Sequence, residues 1–162
     1  MMMKTIEEGK AYLRANFEKG CKCPCCDGSV KLYKRKLNSG MALFLIGLYK
    51  LTKEANNGSY VSVVFFSNKE IMAKMNINTA SLDYSVLKHF NLIDPRASEI
   101  GKKDSGHWSI TWKGLDFVEK NTTLVPKHVF LYNNKRQGFS DETITIKEAL
   151  GEKFDFDELM KG

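Results

Sequence analysis

The stretch that decides the fold is HWSITWKGLDFV, residues 107–118. Trp108, Ile110 and Trp112 alternate with Ser109 and Thr111, the period-two pattern of a strand with one buried face. Thr111 to Gly114 then lead into a short helix over 114–121. Just upstream, LIDPR (92–96) forms a second strand, and ASEIGKKDSG (97–106) is the polar loop between the two. The pair reads as a hairpin packed against a helix.

Working outward, Thr79 caps a helix over 79–90 whose Leu82, Val86, Leu87 and Phe90 form a core stripe. In SNKEIMAKM (67–75), Ser67 and Glu70 stand at capping-box spacing. YVSVVFFS (60–67) is rich in β-branched and aromatic residues and predicts a strand. NSGMALFLIGLYKLTKEA (38–55) predicts a helix capped by Asn38 or Ser39, with Met41, Leu45, Leu48 and Tyr49 facing inward.

The order from 38 to 120 is therefore helix, strand, helix, helix, strand, loop, strand. This order, together with SLDYSVLKHFNLI and GHWSITWKGLDFV, resembles the winged helix-turn-helix of multiple-antibiotic-resistance-type regulators. That family shows the same Leu-Ile exit from its recognition helix and the same Thr-x-x-Gly after its second wing strand. CPCCDGSVKLYKRKLNSGMA, VPKHVFLY and FDFDELM extend the likeness to nearly the whole chain, which is similar to small bacteriophage-encoded proteins that carry a Cys-Pro-x-Cys knuckle. The resemblance implies an α+β fold and a phage origin, and it supplies no activity. Three parts are expected: an N-terminal helix and cysteine knuckle (1–37), a winged-helix domain (38–120), and a C-terminal extension of strands ending in an acidic helix (121–162).

If 79–90 is a recognition helix, Asn78, Thr79, Ser81, Tyr84, Ser85 and Lys88 face a DNA major groove. Arg96, Lys102 and Lys103 stand in or beside the wing (94–112), in reach of phosphates. Lys34, Arg35 and Lys36 add a second basic cluster. Against this, Lys88 is the one basic residue on that helix face and Asp83 is acidic. Trp108 and Trp112 are expected in the core.

Charge is uneven along the 162 residues: nine Lys/Arg against four Asp/Glu in 1–37, ten against eight in 38–120, six against seven in 121–162. The net +6 is compatible with an anionic partner such as double-stranded DNA. A host protein docked on the wing and the acidic tail is the alternative partner, and the tail could also join two copies into a homodimer. No phosphate loop, nucleophile elbow or paired-carboxylate motif is present, so an enzyme is not expected. The longest apolar run, MALFLIGLY (41–49), is too short to cross a bilayer. The N-terminal twenty residues lack the apolar run of a signal peptide, which places the expected protein in a reducing bacterial cytoplasm.

All four cysteines fall in GCKCPCCDG, residues 20–28. Cys23 and Cys26 have the spacing of one zinc knuckle, with Pro24 stiffening the turn and Asp27-Gly28 letting the chain double back. A second Cys-x-x-Cys is missing. Cys21 or Cys25, a remote His89, His107 or His128, or a second chain could complete a Zn2+ site. Redox chemistry is the weaker reading, because no βαβ context surrounds the pair.

Overall fold

The computed structural model describes residues 5–56, 64–77, 84–96, 106–120 and 122–161. The chain is mixed α+β, with several helices and small antiparallel sheets. No helix among the described residues is long and apolar enough to cross a membrane.

Helix α1 (Ile6–Asn16) is capped by the Thr5 hydroxyl, which accepts from the Glu8 N–H, and it ends at Gly20 in a left-handed conformation (φ 88°). The segment 29–37 holds two short strands in different sheets. β2 (Ser29–Val30) pairs with β1 (Cys21–Lys22), and β3 (Tyr33–Lys36) joins a different sheet.

Helix α2 (Ser39–Ala55) starts at Asn38, whose side chain accepts from the Met41 N–H. It is apolar almost all round from Met41 to Tyr49 and becomes the central element of the core. Each large side chain it buries contributes on the order of 1.5–3 kcal/mol.

Next come β4 (Phe66–Ser67) and α3 (Asn68–Lys74), with both halves of the capping box formed between Ser67 and Glu70. α3 closes on Asn76 (φ 54°), where the Ile77 N–H reaches Met72 O and the Asn76 N–H reaches Ala73 O. That pair of bonds is a Schellman closure.

The helix expected over 79–90 is described from Tyr84 to Phe90, and that segment is a 3-10 helix rather than an α-helix. It ends in the same way: Asn91 is left-handed (φ 63°), Leu92 N–H bonds Leu87 O, and Asn91 N–H bonds Lys88 O. Residues 78–83, including Asn78, Thr79 and Ser81, lie outside the described residues, as do 57–63 and the loop 97–105 with Lys102 and Lys103.

The hairpin is present as β5 (Ile93–Pro95) against β6 (His107–Ile110), and β4 pairs with the other edge of β6, giving the order β4-β6-β5. β6 stops one residue before the expected strand's Thr111, because the Thr111 hydroxyl accepts from the Gly114 N–H and starts α4 (Trp112–Glu119). Trp108 is buried as expected. Trp112 is not: as the first residue of α4 it is 68% exposed.

Beyond 121 the chain is richer in structure than two strands and a tail. β7 (Val125–Pro126) pairs with β10 (Thr143–Ile144). β8 (His128–Tyr132) and β9 (Lys135–Phe139) form a hairpin on a two-residue Asn133-Asn134 turn, both left-handed, and β8 also pairs with β3. After β10 the chain turns into α5 (Ile146–Leu150), capped by Thr145 and Glu148. α6 (Phe156–Met160) docks on α2, where Lys50 Nζ donates to the Leu159 and Lys161 carbonyls. One apolar cluster runs from Leu37 to Phe156, so the C-terminal segment shares the core of 38–120. Val30, the one buried large apolar side chain of the described N-terminal residues, lies outside that cluster.

Candidate nucleic-acid interface

Of the residues expected to face a groove, Tyr84, Ser85 and Lys88 are described. Tyr84 is committed inward. Its ring stacks on Phe44 at 4.6 Å, and its hydroxyl accepts from Asn68 Nδ2 at 2.9 Å. Asn68 Oδ1 in turn accepts from Trp108 Nε1 at 2.6 Å, so one amide ties α3, the 3-10 helix and β6 together. Ser85 is exposed and Lys88 is half-buried in the helix's last turn. Arg96 is exposed at the foot of the β5–β6 hairpin, its N–H donating to His107 O.

An electropositive feature forms where the end of the 3-10 helix meets the β8–β9 hairpin. His89 Nε2 is 3.2 Å from Asn134 Oδ1, and the Arg136 guanidinium donates to His89 O at 3.2 Å. Arg136 and the Lys113 ammonium both stand over the Phe139 ring, at 5.1 and 5.7 Å from its centre. Burial lowers the His89 pKa, and Lys88 and Arg136 lower it further, against the Asn134 hydrogen bond. Burial also lowers the Lys113 pKa, with Arg136 adding to it. The charges acting on these two groups among the described residues are all positive. Such a cluster is destabilised by its own field and relieved by an anion.

Strand alternation divides the basic run of β3. Arg35 and Tyr33 share a face with Leu131 and, together with Asn133 and Asn134, line a cleft of about 260 Å3. Tyr33 is 57% exposed there, with Lys31 Nζ 5.8 Å from its ring centre. Asn134 belongs to both the cleft and the His89 contact, so the two features are continuous. Lys34 and Lys36 point to the opposite face, where they pair across with Phe130 and His128. Burial lowers the His128 pKa, then Lys34, with Glu142 opposing and Lys127 and Lys36 adding. Its buried Nδ1 has no hydrogen-bond partner among the described residues.

Lys113, Asn134 and Arg136 were not among the residues singled out from sequence, and His89 was named there only as a remote zinc-ligand candidate. The available signal was NNKR (133–136), a tight-turn pair followed by two cations. Its relevance depends on a contact between positions 45 and more residues apart.

The cysteine segment is a compact turn. Cys23 N–H donates to Gly28 O at 2.8 Å, and Asp27, left-handed at φ 58°, returns its N–H to Cys23 O at 2.9 Å. The N–H groups of Cys25 and Cys26 both point at the Cys23 sulfur, which lowers that thiol's pKa, and the Cys26 thiol adds to the effect. Cys26 Sγ lies 3.3 Å from where a Cβ on Gly28 would stand. Cys25 Sγ turns toward α1, 3.8 Å from the corresponding point on Gly9. Cys21 sits on β1 opposite Val30. All four thiols are free, and no set of three or more His, Cys, Asp or Glu side chains among the described residues is grouped to hold a metal ion. Cys23, Cys25 and Cys26 share the turn, and the Cys25 thiol as well as the Cys26 thiol interacts with the Cys23 sulfur. No family model, curated protein or solved structure matches this chain.

Proposed function

We propose that this protein binds double-stranded DNA through a winged helix-turn-helix formed by residues 38–120, as a phage-encoded regulatory or accessory protein of the bacterial cytoplasm. The observation that carries the reading is the grouping of the cations Lys88, Lys113 and Arg136 around His89 at the junction of the 3-10 helix and the β8–β9 hairpin. The order α2, β4, α3, 3-10 helix, β5, β6, with β4 and β5 flanking β6, supports the winged-helix reading. Phosphate contacts from the cluster set affinity and register, while Ser85 stands nearest the bases. Arg96, Lys102 and Lys103 act at the wing, and Arg35 extends the phosphate track along the cleft. The reading assigns the protein no catalytic step.

The deciding experiment is a titration of random duplex DNA at two salt concentrations with the parent chain and Arg136→Glu. The expected result is binding that weakens steeply with salt, and a variant with at least tenfold lower affinity and a shallower salt slope. Lys161→Glu, at the opposite terminus, serves as the control and leaves both unchanged. Equal affinity and slope for Arg136→Glu remove the cluster from the interface. No binding by the parent chain at low salt turns the reading to a host-protein partner, for which exposed Trp112 is the supporting observation.

A further inference from the structure

Register across the sheet β3-β8-β9 sets Tyr33 opposite Leu131 and Leu131 opposite Arg136. Directly opposed residues share a face, so these three form one row, with buried Leu131 between the exposed Tyr33 and Arg136. Neighbouring strands lie about 5 Å apart, which keeps the tyrosine ring and the guanidinium within the reach of one nucleotide. The next row on that face is Arg35, Val129 and Phe139, the ring over which Arg136 and Lys113 stand. The cleft of about 260 Å3 opens at the Tyr33 end, between Tyr33, half-buried Arg35, Leu131 and the amides of Asn133 and Asn134. None of these lining residues is acidic, and Lys31 Nζ adds a cation 5.8 Å from the Tyr33 ring centre.

We propose that this cleft holds one unpaired base of a DNA strand whose phosphates lie on Arg35 and Arg136, so that the protein favours duplex carrying a single-stranded extension over intact duplex. The inference rests on the DNA-binding reading and adds to it the state of the strand. An exposed aromatic ring beside cations is the combination that binds single strands, because every base has a π-face to stack and every nucleotide a phosphate to pair. Inside a duplex both faces of each base are covered by its neighbours, and Tyr33 has nothing to stack on. A cleft of this volume takes a single planar ring and excludes a base pair. The two asparagine side chains each offer a donor and an acceptor to the edge that pairing would otherwise occupy. Asn134 also contacts His89, which joins the base site to the cations that hold the backbone.

The test is fluorescence anisotropy of the full-length chain with one labelled duplex in three forms: blunt, with a short single-stranded DNA overhang, and with the same overhang in RNA. The expected result is about tenfold tighter binding of the DNA-overhang form than of the blunt form, with the RNA overhang no better than DNA. Tyr33→Ala erases the preference for the overhang, and Tyr33→Phe, which keeps the ring, retains it. Equal affinity of the parent chain for blunt and overhang forms overturns this proposal and leaves the DNA-binding reading standing. No binding of any form removes both. A preference undiminished in Tyr33→Ala overturns the placement of the base in the cleft, and tighter binding of the RNA overhang overturns the assignment to DNA. The comparison of forms by the unsubstituted chain stands even if Tyr33→Ala fails to fold.

Discussion

Gly114 stands where no side chain has room: a Cβ there would lie 2.3 Å from the Leu92 carbonyl oxygen and 2.8 Å from Ile110 Cγ1. Three positions earlier the Thr111 hydroxyl accepts from the Gly114 N–H and donates to Asn91 O at 2.7 Å. The Thr-x-x-Gly pattern thus has a physical reason, since the threonine stitches α4 to the end of the 3-10 helix and the glycine lets the two backbones meet. Gly114→Ala is expected to cost about 1–3 kcal/mol or more in denaturant unfolding, because the atom in the way is backbone and cannot step aside. Tyr49 gives a second residue-level expectation. Burial and then the Glu119 carboxylate push its phenol up to about 12 from the usual 10. Between those values the unfolded chain has lost the proton that the folded chain keeps, so stability falls as pH rises through that window. Tyr49→Phe removes this part of the alkaline slope, which unfolding curves at pH 9, 10.5 and 11.5 measure.

Among the elements, α3, the 3-10 helix and β6 are held by one shared amide. Asn68 serves Trp108 and Tyr84 at once, so Asn68→Leu leaves an indole N–H and a phenol without their partner. The expected cost is about 1–3 kcal/mol, read from urea midpoints, whereas loss of a single surface hydrogen bond would barely register. The junction of the 3-10 helix with the β8–β9 hairpin has a pH signature. His89 and His128 are both held below the ordinary histidine value of 6.5, chiefly by burial. Below 6.5 the unfolded chain takes up protons first, so stability declines as pH falls through that value toward the lower folded ones. His89→Gln with His128→Gln flattens the decline between pH 7 and 5, and an unchanged profile would assign it to carboxylates instead.

Across the whole molecule, stability is uneven by construction. A single apolar cluster joins Leu37 to Phe156, while among the described residues from 5 to 36 Val30 is the one buried apolar side chain, and it lies outside that cluster. Hydrogen exchange read by mass is therefore expected to show α2 opening only with global unfolding and 5–36 opening at far lower cost. Equal protection in both would mean that the N-terminal lobe is tied to the core more firmly than its burial indicates. The same contrast makes the lobe the part whose order a bound metal would change most.

Much of this was legible in the chain itself, because local chemistry decides it. Thr5, Asn38 and Ser67 cap helices through side chains three residues from their targets, and the alternation around Trp108 sets a strand whatever it packs on. The Cys23–Cys26 turn likewise rests on neighbours in sequence. Where contacts are distant, the tertiary structure decided. Trp112 is exposed because Thr111 caps α4 and β6 ends two residues early, and Arg35 parts from Lys34 and Lys36 because β3 pairs with a strand almost a hundred residues away. The cluster of Lys88, His89, Lys113 and Arg136 exists only because two short Asn-terminated turns bring three separate segments together, and Coulomb interactions follow distance in space rather than position along the chain.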